Sequence, residues 1–196
     1  MSDAETIAVY GTQAQKYADL VSGEGVNKDL VTLAGNLPRG GHVLDWGCGA
    51  GNAAAYLRDQ GFVVTATDGT PEFAAKAKEI YGIDVRVELF ADLEEQDTYD
   101  GIWASFSLLH SPKSEMPGNL ARAFRALKPG GYFTIGLKIG DGENRDRIGR
   151  FYAYYQEAEI LGLLADAGFT AIGQTTGCSA GLDGSDWPWI VVHAHA

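Results

Sequence analysis

Val43-Leu44-Asp45-Trp46-Gly47-Cys48-Gly49-Ala50-Gly51-Asn52 is the stretch from which the fold of this chain can be read. A short apolar run carries a carboxylate near its end, and three glycines at alternate positions follow before a helical pattern begins at Gly51. Glycine permits backbone angles closed to other residues and lets a ligand approach the main chain with no Cβ in the way. The start of the helix adds amides without intrahelical partners and a partial positive charge. Strand, glycine loop and helix in that order make a cradle for a small ligand.

The elements on either side extend the pattern. Residues 13–21 and 27–36 read as two short helices, 42–45 as the first strand, and 51–60 as the helix after it. A second strand at 62–67 leads to a helix at 71–81 with Pro71 at its start, then to a strand at 85–89. After a polar connection, 101–106 is a fourth strand and 115–127 a helix that stops at Lys128-Pro129-Gly130-Gly131, where the chain turns into a strand at 132–137. A helix at 157–167, closed by Gly168, precedes strands at 169–173 and 189–193. Alternation of this kind predicts an α/β domain whose sheet is covered on both faces, with right-handed crossovers. In such a sheet, ligands lie beyond the carboxyl ends of the strands, where strand order reverses.

The chain has 196 residues, which suits a single domain over 1–196, with 1–36 as a leading helical segment and 37–196 as the core. Its 26 acidic and 15 basic residues give a net charge of −11, which repels phosphate backbones, so nucleic acid is not an expected partner. Cys48 and Cys178 make no disulfide framework, and Cys178 falls in a Gly/Ser-rich stretch that reads as loop. The first residues lack a basic region followed by an apolar run, and no stretch approaches the ~20 apolar residues that span a bilayer. A cytoplasmic location without membrane association is the expectation, and oligomeric state is left open.

Two cofactor classes compete for the glycine loop. Dinucleotide sites space their glycines G-x-G-x-x-G and place an acidic residue about 20 positions on. Here the third glycine falls one position early and Asn52 follows it. Asp45, at the mouth of the strand, would repel a pyrophosphate but pair with an ammonium. S-adenosylmethionine carries an ammonium and no phosphate. The chain also lacks a recognisable Ser, Tyr and Lys set, which weighs further against an NAD-dependent oxidoreductase. Asp68 ends the second strand, where a carboxylate accepts ribose hydroxyls in either class. The plainer readings are that Asp68 starts the turn Asp68-Gly69-Thr70-Pro71 and that Asp45 fixes the glycine loop.

With these residues in view, the sequence resembles the class I, seven-strand S-adenosylmethionine-dependent methyltransferases of small-molecule type. VLDWGCGAGN resembles their first motif, with Trp46 where a small aliphatic is more familiar. TATDGTPEF, ELFADL, YDGIWASFSLLHSP and ALKPGGYFTI are similar to the segments that follow, in the right order, and the likeness runs from about Tyr10 to the terminus. The resemblance implies a Rossmann-like three-layer sandwich with a seven-stranded, mostly parallel sheet of order 3-2-1-4-5-7-6. Its last strand, antiparallel, would come from DWPWIVVHAHA. It further implies that Gly47, Cys48, Gly49 and Gly51 line the methionine part of the cofactor with Asp45 near its amino group. Asp68, with Gly69 beside it, would bind the ribose; Asp92 would take the adenine amine with Ala91 and Leu93 as neighbours; Ser105 would close the site. The implied reaction is in-line methyl transfer to a small-molecule acceptor. RNA or protein methylation and a non-catalytic cofactor-binding role remain as alternatives.

On the acceptor side, His110 lies on the loop LLHSP at the mouth of the cleft. It is the candidate general base, with simple packing, or substrate contact without proton transfer, as the alternatives. Residues 138–155, KIGDGENRDRIGRFYAYY, gather Lys138, Arg145, Arg147 and Arg150 ahead of an aromatic run. The segment resembles K-x-G-x-G-E…GRFY in a branch of small-molecule methyltransferases. Lys138, Arg150 and Tyr152 are its candidate substrate-binding residues, suited to an anionic substrate. The competing reading pairs the arginines with Asp141, Glu143, Asp146 or Glu157. Tyr10 and Tyr17 resemble a lid segment, Tyr17 being a candidate substrate contact or a packing residue. Trp187 and Trp189 read as packing residues. No His, Cys and carboxylate set has metal-ligand spacing, so no metal is expected.

Overall fold

The computed structural model describes residues 3–22 and 25–196. Helices α1 (Ala4–Ser22) and α2 (Lys28–Asn36) lead into β1 (His42–Trp46), α3 (Asn52–Asp59), β2 (Val63–Asp68), α4 (Pro71–Tyr81) and β3 (Val85–Val87). The chain continues through β4 (Tyr99–Ser105), α5 (Met116–Ala126), β5 (Leu127–Lys138), a two-stranded ribbon of β6 (Glu143–Arg145) and β7 (Phe151–Ala153), and α6 (Glu157–Asp166). It ends in the hairpin of β8 (Thr170–Ala180) and β9 (Asp186–His195).

The main sheet has seven strands in the order β3-β2-β1-β4-β5-β9-β8. With the ribbon set aside, that is the expected 3-2-1-4-5-7-6. Strands β1 to β5 pair in parallel, and β9 runs antiparallel between β5 and β8. The reversal between β1 and β4 aligns Asp45 with Trp103, which puts the glycine loop beside the end of β4.

Side-chain alternation along the strands explains the layering. Leu44, Trp46, Ile102, Ala104, Phe133 and Ile135 face one core with α5 and α6, while Val43, Trp103 and Tyr132 face another with α2 and α3. Buried Asp29, near the start of α2, ties that layer to the far sheet edge. Its Oδ1 lies 3.1 Å from His193 Nε2 and accepts from Thr175 Oγ1 at 2.9 Å, while His193 Nδ1 meets Thr134 Oγ1 at 3.0 Å. Asp29→Ala leaves the buried His193 Nε2 without its acceptor and removes that of the exposed Thr175 hydroxyl. It is expected to cost about 1–3 kcal/mol, read as a lower urea midpoint at unchanged slope.

Several boundaries differ from the expectations. Helix α1 begins at Ala4 rather than at 13, because Gly11 obscured a continuous pattern. That glycine sits where α4 passes close: a Cβ there would lie 2.9 Å from the Glu72 carboxylate. Strand β8 runs to Ala180, so Cys178 is a strand residue opposite Pro188 and not a loop residue. Nearly all of β8 is exposed on both faces, which leaves no apolar alternation to read. The ribbon of β6 and β7 lies within 138–155, and its three-residue strands were too short to announce themselves.

Candidate functional site

The glycine loop closes the carboxyl end of β1 onto β2. The amides of Gly47 and Cys48 both donate to Thr67 O, at 2.8 and 2.9 Å. Gly47, Gly49 and Gly51 hold φ of 79°, 54° and 84°, in the left-handed region that favours glycine. Crowding reinforces the choice at Gly47, where a Cβ would stand 2.4 Å from Ser107 Cβ. Ser107 in turn donates to Trp46 O at 2.7 Å, locking the turn after β4 against the end of β1.

Asp68 organises this loop from beneath. Its Oδ2 accepts from the Gly49 amide at 2.9 Å and its Oδ1 from Thr70 at 2.8 Å. The residue is 3% exposed, and burial raises its carboxyl above the usual range. Asp45 is 2% exposed and borders a cavity of about 530 Å³. Its Oδ2 has no hydrogen-bond partner among the described residues. Burial pushes this carboxyl up to about 7, against the pull of a hydrogen bond from the Ala54 amide and with Asp68 adding repulsion. A buried carboxylate with one oxygen left without a partner beside a glycine loop is suited to a cation carrying N–H donors.

Helix α1 lies across this region. Ile7, Tyr10, Ala14, Tyr17, Ala18 and Val21 fall on one stripe at helical spacing and pack into the larger core. Tyr10 and Tyr17 meet Phe73 of α4 at ring-centroid distances of 5.3 and 5.0 Å. A Cβ on Gly49 would come within 3.1 Å of the Tyr17 ring. The amino-terminal end of α1 is held by the ribbon: Asp3 pairs with Arg145 at 2.9 Å, and Phe151 N donates to Thr6 Oγ1 at 2.8 Å.

Beyond β4 and β5 the cavity has a different character. Buried His110 has both ring nitrogens engaged, with Nδ1 2.7 Å from Phe151 O and Nε2 2.9 Å from the Tyr10 hydroxyl. The carbonyl only accepts, so Nδ1 carries the proton and Tyr10 donates to Nε2. Burial lowers the basicity of His110 to about 3, assisted by the charge of Arg150. Arg150 Nη1 donates to the same Tyr10 oxygen at 2.9 Å, and Nε donates to Asp146 Oδ2 at 2.9 Å. Its Nη2 touches Asp146 Oδ2 at 2.7 Å without hydrogen-bond alignment. Lys138, the last residue of β5, is 8% exposed; its ammonium stands 3.9 Å from the Tyr152 ring centroid and 5.2 Å from that of Trp187. Burial pulls Lys138 down to about 8, with repulsion from Arg150 adding to it.

Of the residues singled out in the sequence, Asp45, Gly47, Cys48, Ser105, His110, Tyr17, Lys138, Arg150 and Tyr152 border this one cavity. Gly49, Gly51, Asp68 and Gly69 stand behind it as the frame of the loop. Ala91 and Asp92 are exposed on a short 3₁₀ turn, where Asp92 Oδ2 accepts from Leu89 N at 2.8 Å, and Leu93 is buried in the larger core. The arginines divide their roles: Arg145 and Arg147 pair with Asp3 and Asp183, while Arg150 both pairs with Asp146 and borders the cavity. Trp187 and Trp189 also border it, so they do more than pack. Phe106, expected as the last residue of the fourth strand, was not among the candidate site residues. It borders the cavity at φ 53°, a strained angle for a bulky residue.

The profile of a methyltransferase domain matches residues 43–131, from β1 to the start of β5. An uncharacterized methyltransferase of Staphylococcus carnosus is 29% identical over 128 residues, covering 64% of this chain and 60% of that protein. The malonyl-[acyl-carrier protein] O-methyltransferase of Enterobacter lignolyticus is 29% identical over 140 residues, covering 68% and 53%. The chain thus spans between half and two thirds of the length of these curated relatives. Among solved structures, the 1,6-didemethyltoxoflavin-N1-methyltransferase of Burkholderia thailandensis superposes with a TM-score of 0.80 at 26% identity, covering 98% of this chain and 87% of that one. That structure holds 1,6-didemethyltoxoflavin and S-adenosylhomocysteine.

Proposed function

Starting from the chain's membership of the class I S-adenosylmethionine-dependent methyltransferases, we propose that it moves a methyl group from S-adenosylmethionine to a small-molecule acceptor bound in the cavity beyond β4 and β5. The observation that carries this reading is the unsatisfied oxygen of Asp45 at the glycine loop. It is a buried acceptor at the loop that the family resemblance assigns to the methionine part of the cofactor, and it would receive the ammonium there. A pyrophosphate would meet an anion there, so the residues fit this cofactor and not a dinucleotide.

When bound, the cofactor supplies a methyl group on a sulfonium, which leaves without help from an acid. The chain's own contribution is therefore placement, exclusion of water and electrostatics. Asp45 would hold the amino group, and the loop of Gly47, Cys48, Gly49 and Gly51 would admit the methionine part without a Cβ in its path. Asp68 would receive the ribose; each of its oxygens already accepts one amide and keeps a second lone pair. Tyr10, Tyr17 and Phe73 would then shift to make room above it. His110, neutral and bonded at both nitrogens, would serve as a strut between α1 and β7 and not as a proton acceptor. Ser105, Lys138, Arg150 and Tyr152 would face the acceptor.

Calorimetric titration with S-adenosylmethionine, S-adenosylhomocysteine and NAD tests the reading. Saturable binding of the first two, weakened in Asp68→Ala and absent for NAD, is the expected result. Binding of NAD alone, or of none of the three, would overturn it.

A further inference from the structure

The cavity has two poles, visible in the side chains that border it and carry a buried polar atom without a hydrogen-bond partner among the described residues. At the glycine loop the orphan is an acceptor, Asp45 Oδ2. At the far side the orphans are all donors: Lys138 Nζ, Arg150 Nη2 and the indole nitrogen of Trp187. Arg150 Nη2 has its charge matched by Asp146 but no aligned hydrogen bond, whereas Lys138 Nζ has neither, so these donors call for a ligand that brings acceptor atoms and negative charge.

We propose that the acceptor molecule is a flat aromatic or heteroaromatic anion whose charged oxygen group lies between Lys138 and Arg150, with its ring among the aromatic side chains of the cavity. This rests on the reading of the cavity as the acceptor site of a methyltransferase.

The charge balance supports the anion. Arg150 is matched by Asp146, whose Oδ1 also accepts from the amides of Ile148 and Arg150. Asp183, the other carboxylate near Lys138, is committed to Ser185 through the amide and the hydroxyl, at 3.1 and 2.9 Å, and lies 3.7 Å from Arg147. Lys138 is left as a buried ammonium facing Arg150 and two aromatic rings, in a chain of net charge −11. Ring faces attract a cation but do not replace the hydrogen bonds that water supplied. The shape of the cavity supports the flat ring. Both cations share the ring of Tyr152, with Arg150 Cζ 5.2 Å from its centroid. Phe106, which also borders the cavity, is held at its strained angle with its ring against Gly136, in edge contact with Trp189 at 6.3 Å. Rings fixed in this way suit stacking against a planar partner.

The probes are 2-naphthoate, its neutral isostere 2-naphthamide and S-adenosylhomocysteine, each titrated calorimetrically into the wild type, Lys138→Met and Lys138→Arg. Lys138 Nζ makes no hydrogen bond, so these variants leave the network of Arg150, Tyr10 and His110 intact. Naphthoate is expected to bind at least ~10-fold tighter than naphthamide in the wild type. That preference should largely vanish in Lys138→Met, return in Lys138→Arg, and fall in the wild type as pH rises above about 8, where Lys138 loses its proton. Affinity for S-adenosylhomocysteine should not change. Equal binding of the two naphthyl probes would overturn the proposal. So would a loss of S-adenosylhomocysteine affinity in Lys138→Met, because the cationic pole would then serve the cofactor's own carboxylate. If naphthoate is selected through Lys138 while S-adenosylhomocysteine fails to bind, the anion site stands and the methyl-transfer reading falls.

Discussion

Asp45→Asn is expected to weaken S-adenosylhomocysteine by roughly 10- to 100-fold, the worth of a hydrogen bond to a charged group, while making the ligand-free protein more stable at neutral pH. The two effects have one cause. In the folded chain the Asp45 carboxyl is pushed up to about 7, against about 3.9 when unfolded. Between those values the unfolded chain has released a proton that the folded chain retains, so rising pH favours unfolding through this window. Below about pH 4 both states hold the proton and Asp45 costs nothing; above about 7 the full penalty applies, on the order of 4 kcal/mol. Asparagine keeps an acceptor for the Ala54 amide and carries no charge to desolvate. Thermal melts at pH 5 and pH 8 should show the variant gaining on the wild type at the higher value. Binding has the mirrored dependence. Below pH 7 an ammonium must displace the proton on Asp45, so the wild-type affinity should fall by about tenfold per pH unit, with uptake or release visible as a buffer-dependent enthalpy. If affinity is flat from pH 5 to 8, or Asp45→Asn binds as well as the wild type, Asp45 does not hold the ammonium.

Gly47→Ala should be the most destabilising single-methyl change in the glycine loop. A non-glycine residue at φ 79° pays about 1–2 kcal/mol for its backbone alone. The added Cβ would also stand 2.4 Å from Ser107 Cβ, so Ser107 must move and give up its bond to Trp46 O. Overpacking of that kind adds about 1–3 kcal/mol. Together these predict a loss of about 2–5 kcal/mol, or roughly 5–20 °C in melting temperature for a chain of this size. Gly47→Ala combined with Ser107→Gly separates the two parts. The double variant should recover the steric share and keep the backbone share. Melting temperatures that do not differ between single and double variants would show that Ser107 is not what the methyl strikes.

Much of the molecule was legible in the sequence because local chemistry announced it. Glycines at 47, 49 and 51 between a strand and a helix have few other uses, and the short apolar strands alternating with helices announced the α/β class, while the strand order came from the resemblance to the family. Asp45 was legible for the same reason: a carboxylate at the end of a buried strand is expensive unless it meets something. What could not be read depends on contacts distant in the chain. His110 looked free to move protons because nothing near position 110 shows that Tyr10 and Phe151 take both its nitrogens. Trp187 and Phe106 reach the cavity through the hairpin and through a strained turn, and neither leaves a periodic trace. Strand β8, with threonines, glycines and no charge, carries no alternation from which its length could be judged.

The position of α1 makes the two halves of the site interdependent. Its amino-terminal end is fastened through Asp3, Thr6 and Tyr10 to Arg145, Phe151 and Arg150, and its later turns rest on the glycine loop through Tyr17. With the cofactor and acceptor bound as proposed, a single stiff rod touching both places would convert displacement at one into a change of fit at the other. Linkage then requires the influence to be mutual: whatever factor the cofactor imposes on the acceptor's affinity, the acceptor returns in equal measure.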